Sequence, residues 1–321
     1  MTTTGAPNAV EINLSAAIAA VADNDPLILT TPASDDAQRD ELPFGPFNPL
    51  AHRTFETGLR EWVAEQTPLR LGYVEQLYTF GDRGRHKTAE DRDLHIVSVG
   101  YLALTRITDD NREALRKSGA RWRSWYSFLP WEDWRGGKPA MIDDTIRPAL
   151  CQWAEQGNSH ARLSRFRLAF GDEGIAWDEE RVLERYELLY EAGLVTEAVR
   201  DGRADPPALT GNLGLPMSFD HRRILATAIS RLRAKLKYRP VVFELMPPTF
   251  TLTALQETVE AISGRHLHKQ NFRRLVEGTE LVEPTGAEQT QARGRPAALY
   301  RFRHNILEER SVAGLRVGGR G

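Results

Sequence analysis

The stretch from Thr251 to Gly278, TLTALQETVEAISGRHLHKQNFRRLVEG, decides how this 321-residue chain is read. Thr251 or Thr253 can cap a helix, and Thr253 with Gln256 three residues on makes a capping box. Leu252, Leu255, Val259 and Ile262 then repeat as one apolar stripe, which Gly264 closes. After the short link Arg265-His266-Leu267, a second helix is expected over His268 to Glu277, ended by Gly278. Phe272, Leu275 and Val276 would face inward on it. Gln270, Arg273 and Arg274 would project outward, with Lys269 and Asn271 on the flanks.

Downstream, Leu281-Val282 and Leu299-Tyr300-Arg301-Phe302 read as two strands joined by a loop containing Arg293-Gly294-Arg295-Pro296. A helix, a turn, a second helix and an arginine-bearing hairpin make the pattern of a winged helix-turn-helix. In that arrangement the second helix enters the major groove, where Arg, Asn and Gln can contact base edges. The hairpin loop reaches the neighbouring backbone or minor groove. Arg265, His268, Lys269, Gln270, Asn271, Arg273, Arg274, Arg293 and Arg295 are the candidate DNA contacts. The competing reading is a solvated basic surface on a small domain.

Upstream, a helix is expected from Asp220 to Leu236, whose last stretch carries Arg231, Arg233 and Lys235, followed by Lys237 and Arg239, with no acid between. Val241 to Leu245 is a short strand candidate stopped by Pro247-Pro248. The N-terminal half alternates differently. Ile12–Val21 and Leu27–Thr31 read as strands around the turn Asp23-Asn24-Asp25-Pro26. A helical pattern from about Leu50 to Gln66 follows, with Phe55, Leu59, Trp62 and Val63 on one face. Leu71–Phe80 and Leu94–Ile107 are further strands, separated by the basic loop Gly81–Asp93. That order argues for a mixed α/β domain. Helical patterns at Ile142–Gln156, Ala161–Phe170 and Glu179–Val199 form an insert, and Arg200–Leu215 reads as a linker.

Composition narrows the function classes. A net charge of −2 gives no global sign of nucleic-acid binding, so that signal has to be local. The single cysteine, Cys151, excludes an internal disulfide framework and any cysteine-rich zinc site. No apolar run approaches the roughly 18 residues needed to span a bilayer, and no signal peptide is visible at the N-terminus. A cytoplasmic protein without membrane contact is expected. The eight histidines are scattered without metal-ligand spacing. Neither a P-loop nor a G-x-G-x-x-G after a strand occurs.

Two resemblances sharpen this reading. The runs Ser218–His221 and Arg231–Tyr238, with Phe250-Thr251-Leu252, Asn271–Arg274 and Gly294–Phe302, resemble NrtR-like regulators of NAD metabolism. The long insert resembles the NadQ-type branch, which represses de novo NAD biosynthesis genes in alphaproteobacteria. Arg60-Glu61-Trp62-Val63-Ala64-Glu65-Gln66-Thr67 resembles the core R-E-U-x-E-E-x-G of the Nudix box, whose glutamates hold Mg²⁺ against a pyrophosphate. Glu61 and Glu65 remain, although they also fit a solvated helix face. Ala64 stands where a glutamate belongs, Thr67 where glycine does, and counting back puts His52 at the first glutamate.

The resemblance implies an N-terminal Nudix-like mixed α/β domain with a helical insert and a C-terminal winged helix-turn-helix, that is, α/β followed by α+β. The expected division is a sensing domain over residues 1–135, insert and linker over 136–217 and a basic linker helix over 218–240. The winged helix would span 241–305 and a flexible tail 306–321. It implies a homodimeric repressor on palindromic double-stranded operator DNA, with an allosteric adenine-nucleotide effector (NAD, ADP-ribose or ATP) and no required cofactor. Catalysis and metal binding would be lost. Phe80 and Tyr101 are candidates to stack on the base, and Arg83, Arg85, His86 and Arg92 to contact phosphate. Trp122, Trp125, Trp131 and Trp134 read first as packing under a loop, second as an adenine or dimer pocket. The alternatives are a Mg²⁺-dependent Nudix pyrophosphohydrolase acting on ADP-ribose or related dinucleotides, and a protein-interaction adaptor using the basic linker helix.

Overall fold

The structure, a computed structural model, describes residues 10–82, 95–205, 213–237, 239–289 and 296–303. Strands β1 (Val10–Ala22) and β2 (Asp25–Pro32) form the expected hairpin, with Ala22 opposite Asp25. Asp23 and Asn24 both take positive φ, 51° and 60°, which suits short polar side chains in a tight hairpin turn. β3 (Asp40–Glu41), β4 (Phe44–Pro46), α1 (Phe55–Gln66), β5 (Tyr73–Phe80) and β6 (His95–Leu104) follow. β6 runs parallel to β1 from Val10↔His95 to Ala19↔Leu104, giving a sheet ordered β3-β2-β1-β6-β5. β4 pairs β1, and β7 (Arg121–Ser124) pairs β2 after the short helix α2 (Asp109–Ser118).

Both faces of the sheet are covered, and the strand period of two shows it. Leu14, Ala16 and Ile18 of β1, with Val99, Tyr101 and Ala103 of β6, pack with Leu59 and Val63 of α1. Ala17 and Ala19, with Leu102 and Leu104, face the opposite way into the main core. Into that core runs α7 (His221–Leu236), which lies against the sheet where Gly100 leaves room. A Cβ there would sit 3.1 Å from Ile224 and 3.3 Å from Phe80.

The insert contains a single π turn (Ile142–Ile146), then α3 (Arg147–Glu155), α4 (Ser159–Phe170), α5 (Val182–Glu191) and α6 (Thr196–Arg200). One continuous helix was expected over 179–199. Instead Gly193, at φ 74°, breaks it. Trp125 and Trp131 are fully buried in the main core, and Trp134 packs against it, as the packing reading expected.

The C-terminal part holds α8 (Leu252–Ser263), α9 (Lys269–Thr279) and the hairpin β8 (Val282–Gln289) with β9 (Ala297–Phe302). Three expectations need correction here. Val241–Glu244 is a 3₁₀ turn, not a strand, closed by Phe243 N–H to Pro240 (3.2 Å) and Leu245 N–H to Val242 (3.1 Å). A short apolar run cannot tell strand from helix by period alone. Thr251 caps α8, accepting from Ala254 N–H at 3.0 Å, while Gln256 turns to Glu260 and the Leu267 carbonyl. Gly278 does not end α9; Glu280 does, at φ 53°.

The basic linker helix is also corrected. Buried residues ring α7, and Arg233 is 1% exposed. Lys235 binds Glu75 (3.0 Å) and the Tyr73 hydroxyl (3.1 Å); Lys237 binds Glu179 (3.2 Å) and Glu180 (2.5 Å). Arg231 lies 3.9 Å from Glu75. From Arg231 to Lys237 the positive run is matched by acids from distant parts of the chain.

Candidate nucleic-acid interface and the box helix

The helix-turn-helix is assembled from its first helix outward. Leu252, Leu255, Val259 and Ile262 of α8 are buried. Gly264 adopts φ 73° against the Glu132 carbonyl, where a Cβ would come within 2.4 Å. The last carbonyls of α8 meet donors from other elements. Tyr126 Oη donates to Ala261 (2.7 Å), Arg233 Nε to Ile262 (2.9 Å) and Trp134 N–H to Gly264 (2.8 Å). A helix end left without partners would carry unsatisfied acceptors and a partial negative charge; here a buried guanidinium meets both needs.

Glu260 shapes the turn. Its Oε1 accepts from Leu267 N–H and Gln256 Nε2, both at 2.8 Å, and its Oε2 lies 3.1 Å from His266 Nδ1. Partial burial alone would raise its pKa, but these hydrogen bonds outweigh it and hold the carboxyl below its ordinary value of 4.5.

α9 then divides as the sequence anticipates. Phe272 and Val276 are buried and Leu275 is half-buried. His268, Lys269, Gln270, Asn271, Arg273 and Arg274 are all exposed. Among the described residues, no acid is within ion-pair distance of Lys269, Arg273 or Arg274. Arg265 is placed differently: it pairs with Glu179 of the insert at 3.2 Å. The wing hairpin is pinned to the domain by antiparallel pairing of Phe250 with Tyr300. Its register shifts between Pro284 and Glu288, with Gly286 at φ 80° inside the bulge. Arg293 and Arg295 lie outside the described residues, as do Arg83, Arg85, His86 and Arg92.

Phe80 and Tyr101 are reassigned. Phe80 is 1% exposed in the main core, with the Arg223 guanidinium over its ring at 4.9 Å. Tyr101 is 3% exposed on the other face of the sheet, its hydroxyl 3.4 Å from Gln76 Oε1, and burial pushes its pKa up. Neither ring offers an open face to a base, and the two point to opposite sides of the sheet.

On α1, Glu61, Ala64 and Glu65 are exposed. Thr54 caps the helix, and Trp62 Nε1 donates to the Pro46 carbonyl at 2.9 Å. His52 is buried. Its Nδ1 accepts from Asn48 N–H (3.1 Å), so Nε2 carries the proton and points at Glu61, 3.2 Å away. Arg60 binds Glu56 at 2.9 Å and the carbonyl of Leu71 at 2.5 Å. Mg²⁺ requires several hard oxygen ligands in near-octahedral array. A methyl at Ala64 and a nitrogen donor aimed at Glu61 do not supply them, and no group of three metal-binding side chains occurs among the described residues. The donor set does not fit the ion.

Residues 242–302 match the NrtR DNA-binding winged helix domain. The ADPR responsive transcriptional repressor NtrR of Acinetobacter baylyi is 45% identical over 91 residues, which is 28% of this chain but only 36% of that protein. Among solved structures, Shewanella oneidensis NrtR complexed with a 27mer DNA aligns over 95% of this chain and 98% of its own, at TM-score 0.58 and 21% identity. NrtR of the same organism without DNA covers 92% and 94%, at TM-score 0.54 and 20% identity. A MutT/nudix family protein from Enterococcus faecalis covers 94% and 90%, at TM-score 0.50 and 14% identity. At such identities the likeness is one of fold. Residues 242–302 thus form a winged helix of the NrtR DNA-binding type, carried on a chain with the overall fold of the NrtR structures and a Nudix-like N-terminal part.

Proposed function

We propose that this chain is a transcriptional repressor that binds double-stranded operator DNA through α9 and the wing, and releases or tightens it in response to an adenine nucleotide. The observation that carries this reading is the partition of α9. Phe272 and Val276 are buried while Lys269, Gln270, Asn271, Arg273 and Arg274 stand in solvent, without acidic partners among the described residues. Cations and amides on the first turns of such a helix suit phosphates and base edges.

The effector would be of the ADP-ribose, NAD or ATP class, sensed by the Nudix-like part over residues 1–135. The relatives' names support this: one is an ADPR-responsive repressor. The regulated genes would be those of NAD biosynthesis, and the working form a cytoplasmic homodimer matching a palindrome. Hydrolysis is not part of this reading, because the box helix lacks a Mg²⁺ donor set. No helix among the described residues is long and apolar enough to cross a membrane.

The test pairs two assays on the full chain. A DNA-shift assay on a selected duplex should show binding that ADP-ribose alters. Incubation with Mg²⁺ and ADP-ribose should release no AMP. Steady AMP release abolished by Glu65→Gln would favour the hydrolase instead.

A further inference from the structure

Where the sheet, the end of α7 and the root of the wing meet, there is an open cavity of about 680 Å³. That lies within the roughly 300–1,000 Å³ range of small-molecule sites. Four cations line it: Arg106 after β6, Lys235 and Arg239 at the end of α7, and Arg301 on β9. Three carboxylates answer them, and two are already engaged, Glu75 by Lys235 (3.0 Å) and Glu283 by Arg301 (2.6 Å). Among the described residues, Glu244 alone of the three remains for Arg106 and Arg239. Arg106 instead donates to the backbone carbonyls of Phe243 and Glu244, both at 3.3 Å, and no ion pair to Arg239 occurs among the described residues.

The apolar wall is aromatic. Phe243 and Phe302 stack with centroids 4.4 Å apart and planes 19° from parallel, and Tyr73 also lines the cavity. Cations with unmatched charge beside an aromatic platform recognise a molecule with both an anionic group and a flat ring.

We propose that this seam binds a phosphate-bearing heteroaromatic small molecule of nucleotide class, its phosphate held by Arg239 and Arg106 and its ring by the half-buried Phe302, which Phe243 backs from the core. The site is separate from the box helix α1, on the other face of the sheet. A ligand there touches three parts at once: the segment leaving β6 through Arg106, the segment leaving α7 through Arg239 and β9 through Phe302. It therefore fixes the root of the wing relative to the N-terminal part. The binding itself does not depend on the operator reading; only its consequence for DNA does.

Calorimetric titration of the full chain with AMP, ribose 5-phosphate and adenosine tests it, with hydrogen exchange to map the site. AMP should bind more tightly than either fragment and protect residues 239–250 and 297–302. Arg239→Glu, on an exposed side chain, should weaken AMP by roughly tenfold or more and erase that protection, while Arg239→Lys retains most of it. An unchanged far-ultraviolet spectrum and melting curve show that the variant is folded. Absence of AMP binding, protection confined to residues 10–82 and 95–104, or an Arg239→Glu chain that binds AMP like its parent would each overturn the proposal. DNA binding by the ligand-free chain, measured alongside, reports on the regulator reading separately.

Discussion

Glu132 has no exposed surface and lies between two guanidiniums. Arg185 reaches it at 2.6 and 2.9 Å, and Arg233 at 2.6 Å. Further donors of Arg185 go to the carbonyls of Ala169 and Asp178, and those of Arg233 to the carbonyls of Ile262, Glu179 and Glu132 and to the Tyr126 hydroxyl. Arg185 also lies 3.7 Å from the Trp177 ring centroid. Removing the carboxylate strands two buried cations, so Glu132→Gln should destabilise the chain by about 3–5 kcal/mol, read as a shift in denaturant midpoint. A loss under about 1 kcal/mol would show that the network contributes little. None of this was legible in the sequence, because the partners lie 53 and 101 residues away and a lone glutamate in a tryptophan loop carries no pattern. The α9 cations were legible, because a 3.6-residue period sorts them from Phe272 and Val276 whatever the tertiary context. Each is also testable alone. Asn271→Ala and Arg274→Ala should each cost about 1–3 kcal/mol of specific DNA binding and relax base preference, measured on matched and mismatched duplexes. Equal losses on every duplex would mean that these side chains touch only phosphate.

The turn between α8 and α9 is an element whose stability should depend on acidity. Glu260 has a folded pKa below its ordinary 4.5. Its contribution is fully present above the unfolded value and is lost as pH falls through the depressed folded one. Below about pH 4.5 the bonds to Leu267 N–H and Gln256 should weaken, and the Leu267 amide should exchange faster. Glu260→Gln should remove that pH dependence; an identical acid response in the variant would place its origin elsewhere. Elements with long periodic faces, such as α8 and the β1–β2 hairpin, were readable in advance. The segment Val241–Glu244 was not, since its packing beneath Phe250 and Phe302 decides its conformation rather than its own period. The box helix α1 was readable as a helix with two surviving carboxylates. That His52 would turn its Nε2 on Glu61 was not, because a residue upstream of the helix reaches that position only through the fold.

At the scale of the molecule, α7 joins what the sequence suggested were separate parts. The main core runs without a break from Ala17 and Ala19 of the sheet through Trp131 and Tyr186 to Ile262, Val276 and Leu281. The expected linker helix is interior structure, and the acids that neutralise it, Glu75, Glu179 and Glu180, come from the sheet and the insert. A shared core predicts a single cooperative unfolding transition, with tryptophan fluorescence and far-ultraviolet dichroism coincident; two resolved transitions would contradict it. Continuity also means that the N-terminal part can bias the reading helix through packed elements instead of a flexible tether. The central claim remains that this continuously packed assembly presents α9 to duplex DNA. Selection of duplexes from a random library by the 321-residue chain, followed by anisotropy titration of the enriched sequence at several salt concentrations, tests it most directly. One dominant sequence should emerge, with affinity falling steeply with salt and lost in the Arg273→Ala, Arg274→Ala double variant. No enrichment, or a double variant that binds like the parent, would contradict it.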